Sequence, residues 1–390
     1  MAADVYIMEP MLPNEDIKEL EDLAFDLIRK GSALASRLDP AVAQSIGDLV
    51  RSMNCYYSNL IEGHDTHPIS IEKAMAQDFS TDPKQRNLQQ EAVAHIEVQT
   101  MIDENAAPPL APYGEYIKWV HNEFCVRLPK ELLQVKNEHT GKVISVVPGQ
   151  FREDDVQVGR HIPPRPEDLD RFMGRFEQAY DLGRLSKVKQ VIAIGSSHHR
   201  LAWIHPFLDG NGRVARLFSH AFLRELEIGS TLWSVSRGLA RNVETYKERL
   251  MAADSPRKGD LDGRGNLSHL ELINFCQFFL VSCIDQIDFM SELLDLDTLR
   301  IRMEIHIKEE IQFGRLHKAS WPLLQQALLR GQFKRSDAQE ITNYGERQAR
   351  DVLADLLKQG YLVSDGPKSP VRLGFPPKAR ERWLPKLYPA

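Results

Sequence analysis

Nine residues, HPFLDGNGR at 205–213, put an imidazole, a carboxylate, two glycines, an amide and a guanidinium into one short stretch. Helix-forming sequence flanks it on both sides, so it reads as a polar loop that opens a helix. Backbone N–H groups at a helix start have no partner within the helix and point outward. With Gly210, Asn211 and Gly212 they make an anion site that a phosphate can approach closely. Arg213 follows in the first turn. Arg216 and His220 continue the same stripe, while Val214, Leu217, Phe218 and Ala221 are left for the core. His205 stands just before the loop, where a neutral imidazole could take the proton of an attacking hydroxyl. Asp209 is an oxygen ligand of the kind Mg²⁺ accepts beside phosphates. Pro206 stiffens the loop, and Phe207 is expected to anchor it in the core. Each residue alone reads as an ordinary turn or cap. Jointly they describe a phosphoryl- or nucleotidyl-transfer site, whose work is positioning and charge stabilisation.

The elements that must position this loop are mostly helical. Apolar spacing predicts helices over 15–37, 40–60, 86–103, 113–127, 166–182, 187–201, 212–226, 242–253, 268–295 and 297–313. Residues 141–164 differ. KVISVV is β-branched, PGQFR reads as a turn, and DDVQVGRHIPP alternates, so a short β-hairpin is expected there. From about 320, three helical stretches (321–331, 336–342, 346–360) precede two strand-like stretches around a turn in 361–376. That is the order of a winged helix, a variant of helix-turn-helix. The fold class is therefore mainly α with one small hairpin, followed by an α+β winged-helix unit. The expected parts are a helical N-terminal region (1–104), a central core (105–295), and a linker helix with the winged-helix-like unit (296–390).

The 390-residue length exceeds what one core usually holds. A charged fraction of 27% with a net charge of −6 calls for neither nucleic acid nor membrane as a general partner. The charge is uneven: residues 301–390 hold 16 Lys and Arg against 10 Asp and Glu, leaving 33 against 45 in the rest. A net of +6 on an acidic body points to a distinct partner for the tail. The four cysteines form no CxxC pair and are expected as reduced structural thiols, which suits a cytoplasmic location. The N-terminus lacks the basic and apolar regions of a signal peptide. No apolar run approaches the roughly 20 residues of a membrane span, so no membrane partner is expected.

HPFLDGNGR resembles the Fic family motif, HPFx[D/E]GN[G/K]R, at every position, and Arg216 supplies the second arginine that many members carry. The resemblance implies an all-helical core that transfers AMP from ATP, with Mg²⁺, to a Ser, Thr or Tyr hydroxyl of a target protein. His205 would be the base and Asp209 the metal ligand. Gly210, Asn211 and Gly212 would hold the α- and β-phosphates, with Arg213 on the phosphates and Arg216 on the γ-phosphate. The Doc branch, which phosphorylates, carries Lys where Gly212 stands, so glycine favours nucleotidyl transfer. The family's flap, which holds the target backbone by strand addition, would correspond to 149–164, with Gln150, Phe151, Val156, Val158, Gly159 and Ile162. Tyr246 is the candidate for adenine contact, and Asn242 a second one.

Ser58-Asn-Leu-Ile-Glu62-Gly63 is similar to the family's inhibitory motif, [S/T]xxxE[G/N]. Ser58 and Glu62 share one helix face, and Gly63 can end the helix. The resemblance implies that Glu62 pairs with Arg216 and occupies the guanidinium that the γ-phosphate needs. His64, Asp65 and His67 read as solvated loop residues rather than a metal cluster. The expected function is an autoinhibited protein adenylyltransferase. The alternative on the same site is a phosphodiesterase that removes AMP, or an enzyme that does both. From another class, the chain could be a DNA-binding regulator with a nucleotide-sensing core. Arg347, Arg350, Lys368 and Arg372 would then meet phosphates, although Glu346, Asp351 and Asp355 dilute that charge and favour protein docking or dimerisation. Self-modification and a homodimer are both compatible with the motifs.

Overall fold

The computed structural model describes residues 4–136, 141 and 143–388. The chain divides into two compact units, Met1–Gly31 with Asn54–Gln286, and Ser32–Met53 with Ile287–Ala390. The first unit draws on α1 (Lys18–Ala35), α2 (Pro40–Ile61), α3 (Pro68–Met75), α4 (Pro83–Asp103) and α5 (Tyr113–Cys125). Strands β1 (Gln134–Lys136) and β2 (Val143–Ser145) follow. Then come α6 (Leu169–Ala179), α7 (Lys187–Ile204), α8 (Asn211–Glu225), α9 (Val235–Ala240), α10 (Val243–Ala253) and α11 (His269–Leu293).

Local chemistry sets several of these boundaries. Pro83 occupies the first turn of α4, where its missing N–H costs nothing, and the Asp82 carboxylate accepts from the Gln85 N–H at 2.8 Å. Helix α3, not anticipated from apolar spacing, begins the same way with Pro68, capped by the His67 ring. Helix α2 ends in a Schellman motif. Gly63 takes φ +83°, its N–H bonds the Leu60 carbonyl at 3.0 Å, and the His64 N–H bonds the Asn59 carbonyl at 2.9 Å. Glu62 is thereby the capping residue, fixed at the tip of the helix.

The core of this unit is aromatic. Phe172, Phe176, Phe218 and Phe222 are fully buried, and Tyr113 packs edge-on against Phe176 and Phe218. Each such side chain contributes about 1.5–3 kcal/mol by burial. The Tyr113 hydroxyl donates to the Tyr180 carbonyl, and the Tyr180 hydroxyl to the Met11 carbonyl, both at 2.7 Å. These bonds tie α5 and the N-terminal segment to α6. Helices α7 and α8 pass through this core, and the loop between them is 205–210. Helix α11 corrects one expectation. Among the described residues it is the one helix long and apolar enough to cross a membrane by length and composition, and half of its most apolar stretch is buried. Its Leu272, Phe275, Cys276, Phe279 and Leu280 are buried in this unit.

The hairpin lies upstream of its expected place. Residues 143–145 do form a strand, but they pair with 134–136, with Val135 opposite Ile144. The segment 149–164 contributes only an isolated bridge, Val158 to His161. The reason is Arg152, whose buried side chain and backbone N–H are taken by carbonyls outside any sheet. Residue 142, within the expected β-rich region, lies outside the described residues, as do 137–140 just before it.

The second unit contains α12 (Leu296–Gln312), α13 (Ser320–Arg330), β3 (Gln332–Phe333), α14 (Ala338–Thr342), α15 (Glu346–Lys358), β4 (Leu362–Val363), β5 (Val371–Leu373) and α16 (Pro377–Trp383). The sheet is antiparallel in the order β3-β5-β4, with Phe333 opposite Val371 and Leu362 opposite Leu373. Two strands were expected there. The third, β3, is only two residues long, too short for an alternating pattern to reveal.

Candidate active site

Helix α7 ends at Ile204, and His205 is its cap, with φ +49° and ψ +61°. This left-handed conformation is uncommon for a residue with a side chain and turns the chain sharply out of the helix. The His205 N–H still bonds the Leu201 carbonyl at 3.0 Å. Its Nδ1 lies 3.3 Å from the Ala202 carbonyl oxygen, which can only accept. Nδ1 therefore carries the ring proton and Nε2 the lone pair. Burial lowers the imidazole to about 4, against a smaller opposing effect of the Ala202 carbonyl. His205 is then neutral throughout the physiological range and able to accept a proton.

The loop after it is pinned from inside. Phe207 is fully buried and stacks face to face on His121 of α5, with centroids 3.9 Å apart. The Asn211 side chain closes the loop by accepting from the Phe207 N–H at 2.9 Å and donating to the Phe207 carbonyl at 2.7 Å. Its amide is thus a loop staple. Gly210, at φ +80°, caps α8, and its N–H bonds Asp209 Oδ1 at 2.6 Å. The Asp209 side chain is exposed.

A carboxylate oxygen already stands at the start of α8. A Cβ added at Gly212 would fall 2.3 Å from Glu62 Oε1 and 3.2 Å from Arg216 Nη1, so a side chain there would have to displace the Glu62 carboxylate. Glu62 Oε1 accepts from Arg216 Nη2 at 2.5 Å. Ser58, one turn earlier on α2, accepts from Arg216 Nε at 2.9 Å through its hydroxyl, and from Nη2 at 3.2 Å through its carbonyl. Arg216 is 2% exposed, whereas Glu62 is a third exposed. Burial works to raise the Glu62 carboxyl. The charge and hydrogen bond of Arg216, with Arg213 and His64 behind, prevail and hold it below its ordinary value.

Arg213 has a carboxylate of its own. Its Nη1 lies 3.2 Å from Glu91 Oε1 on α4, and its guanidinium sits over the Phe124 ring at 4.9 Å. Its Nε is buried without a hydrogen-bond partner. Glu91 Oε2 is 2.7 Å from His64 Nδ1. The expectation of His64 as a solvated loop residue is therefore corrected: the Schellman turn delivers it onto a buried glutamate. No motif announces Glu91. Its position on α4, out of sequence with both partners, hides it from pattern reading. His220, on the expected stripe, meets Asp103 at 2.7 Å.

A cleft of about 530 Å³ opens beside His205, lined by Val135, Ile144, Val156, Val158, Ile162 and Leu208 among others. Of the six flap candidates, Val156, Val158 and Ile162 are thus at the site. Gln150 is exposed, Gly159 sits in an open turn at φ +59°, and Phe151 packs on Phe207 with centroids 5.5 Å apart.

The Fic/DOC family profile matches residues 124–223, which hold the whole loop and most of α8. Residues 124–223 are a Fic/DOC family domain. The protein adenylyltransferase Fic of Drosophila erecta is 39% identical over 94 residues, 24% of this chain and 19% of that protein. The Drosophila melanogaster protein of the same name matches at 39% over 94 residues, with the same coverage. This chain therefore spans about a fifth of the length of those relatives. In fold, the chain is similar to a Fic family protein from Desulfovibrio desulfuricans, with a TM-score of 0.54 and 15% identity, over 93% of this chain and 98% of that one. A Fic-domain signalling protein from Bacteroides thetaiotaomicron aligns over 69% of this chain and 96% of its own, with a TM-score of 0.50 and 19% identity.

Tyr246 does not sit as expected. The residue is 4% exposed, and His198 Nε2 is 2.7 Å from its hydroxyl, while His198 Nδ1 meets Ser219 of α8 at 2.8 Å. A buried tyrosine needs a partner for its hydroxyl, and finding one in His198 turns it inward as a brace of α8. Asn242 is exposed at the start of α10. A Tyr246→Phe variant is accordingly expected to lose about 1 kcal/mol of stability in urea unfolding. Its KM for ATP should stay within about twofold, since the hydroxyl lost is buried and, beyond His198, interacts with Arg216, whose guanidinium keeps its bonds to Ser58 and Glu62. A large rise in KM with unchanged stability would restore Tyr246 to the adenine site.

Proposed function

We propose that this chain transfers AMP from ATP to a hydroxyl side chain of a protein, and that Glu62 restrains the reaction by holding Arg216. The observation that carries this reading is the loop itself. It sets the Nε2 lone pair of His205 on one side and the outward N–H groups of α8, with two buried arginines, on the other. An anion suits that cradle, because the Glu62 carboxylate already lies against it and Arg213 Nε is a buried donor without a hydrogen-bond partner.

The residues have these tasks in the proposed reaction. The N-terminus of α8, opened by Gly210 and Gly212, receives the α- and β-phosphates. Arg213 and, once released from Glu62, Arg216 neutralise the polyphosphate. Asp209 fits Mg²⁺ as a single exposed carboxylate, since that ion keeps waters and substrate phosphates as its other ligands. When bound, the ion would offset charge on the leaving pyrophosphate. His205 Nε2 takes the proton from the acceptor hydroxyl as its oxygen bonds to the α-phosphorus and the bond to the β-phosphate oxygen breaks. The cleft beside His205, lined by apolar residues together with Lys136, Asp155, Gln157 and Arg165, is where the target segment would lie. Ser, Thr and Tyr are the chemically suitable acceptors, on a separate protein or on the chain itself. The four cysteines are all buried free thiols, which supports a reducing compartment such as the cytoplasm. The element order of 320–373 supports a winged-helix reading, and the mixed charge on α15 favours protein docking or a homodimer over DNA.

The decisive test compares ATP labelled at the α- and at the γ-phosphate, each with Mg²⁺ and the full chain. Protein labelled from the α position alone is the expected result. Label from the γ position alone would reassign the site to phosphoryl transfer.

A further inference from the structure

We propose that Arg152 is the positioning residue for His205, holding the catalytic backbone in its left-handed turn and locking the cleft wall to it. This rests on the reading of the site as an AMP-transfer centre with His205 as base. The Arg152 guanidinium donates from Nε to the His205 carbonyl at 2.9 Å, from Nη1 to the Asp154 carbonyl at 3.2 Å, and from Nη2 to the Pro164 carbonyl at 2.5 Å. Its backbone N–H donates to the Pro206 carbonyl at 2.9 Å. One residue thus grips both carbonyls that follow α7, and closes the 152–164 segment on itself. From the far end of that segment, His161 Nε2 meets the Trp203 carbonyl at 2.7 Å.

The placement has a physical cost that a surface brace would avoid. Arg152 is 4% exposed, and its guanidinium donates to three backbone carbonyls rather than to a carboxylate. Burying a cation on neutral partners is expensive. Of the three acceptors, the His205 carbonyl stands at the C-terminus of α7, where partial negative charge makes it a suitable one. The geometry they secure is itself unfavourable, since His205 has a positive φ. Fixing the carbonyl of a residue fixes its peptide plane, and with it the direction of the side chain. The lining residues Val156, Val158 and Ile162 lie between the anchors at 152 and 164. Target docking and the base are therefore held by one hub.

Several charges face the His205 ring. Arg152 and His161 come from the cleft segment, and Asp209 from the loop, with the Ala202 carbonyl below. Burial is the largest cause of the low imidazole value, and the nearby Arg152 cation lowers it further. Removing that cation should raise it.

The experiment uses the full chain with Glu62→Gly as parent, and adds Arg152→Gln or Arg152→Lys. Two readouts are taken: α-labelled ATP transfer across ATP concentration and pH, and titration of the His205 ring by nitrogen NMR, assigned by loss of its signal in His205→Ala. Arg152→Gln is expected to lower kcat about 10- to 100-fold, with KM for ATP within about twofold. Its His205 titration should move upward, and the acid limb of its rate should move with it. Arg152→Lys keeps the charge and should return the titration toward the parent while recovering only part of kcat, because it lacks the fork. An unmoved His205 titration in Arg152→Gln, or kcat equal to the parent in both variants, overturns the inference. If the parent transfers no label, the AMP-transfer reading fails, and with it the catalytic role given to Arg152. The ring titration then reports only whether the arginine sets the His205 environment.

Discussion

Glu62→Gly is expected to raise incorporation of α-labelled ATP into protein about 10²-fold over the unaltered chain. The size follows from what Arg216 does in each state. A preorganised donor to developing phosphate charge is worth roughly 10²–10³ in rate. In the structure that donor is committed to Glu62 and Ser58 through three hydrogen bonds and is almost wholly buried. The Glu62 oxygen also lies against Gly212, the proposed phosphate cradle, so its removal should both free the guanidinium and clear that position. Glu62→Gln should give an intermediate rise, because the amide retains the bulk and loses the charge. The sign of the pH effect follows from the depressed Glu62 carboxyl. Its pairing with Arg216 is complete above the ordinary carboxylate value and is lost only as pH falls through the lower folded value. The restraint should therefore be constant across neutral and mildly acidic pH. Equal labelling by the parent and Glu62→Gly would remove the inhibitory reading of α2 and leave the loop unrestrained by it.

The residues legible in the sequence were those whose roles are local. HPFLDGNGR is contiguous, and its capping, anion-facing and anchoring parts follow from helix-start geometry. Phe207 is buried as expected, and Ser58 and Glu62 meet Arg216 because a four-residue spacing puts both on one helix face. The residues that escaped are those that act across elements. Glu91, His121 and Arg152 each reach the site from a different segment, and nothing in their own neighbourhoods marks them. His121 is a stacking partner of Phe207, Glu91 a counter-charge for Arg213, and Arg152 a clamp on carbonyls, whose acceptor role is invisible in any sequence. Tyr246 illustrates the opposite error. An aromatic at helical spacing is as suited to the core as to a ligand, and here the hydroxyl finds a buried histidine. The hairpin was misplaced because alternation in 154–162 looks like a strand, while the backbone there makes only the local Val158–His161 bridge and gives the Asp154 carbonyl to Arg152.

Adding His205→Ala to Glu62→Gly is expected to abolish most of that labelling, by about 10²–10⁴-fold, the range for loss of a positioned general base. The loss should fall on kcat. In the proposed reaction residues 210–216 hold the phosphates, whereas the His205 ring contacts the Ala202 carbonyl of α7 through Nδ1. KM for ATP should therefore change little, and ATP binding by calorimetry should survive. The pH dependence separates this base from an ordinary histidine. With the imidazole lowered to about 4 by burial, the Glu62→Gly rate should be flat from near neutral down to about pH 5 and fall only below that. An exposed histidine would lose activity through about 6.5. A base this weak accepts a proton poorly from a free alcohol. The transfer must then run late in bond formation to the α-phosphorus, when the attacking oxygen has become acidic. Such a reaction depends on the arginines and the α8 N-terminus more than on the base, so Arg213→Ala should cost at least as much as His205→Ala. If instead the double variant labels as strongly as Glu62→Gly, His205 is not the base, and the proton leaves by way of the phosphates themselves.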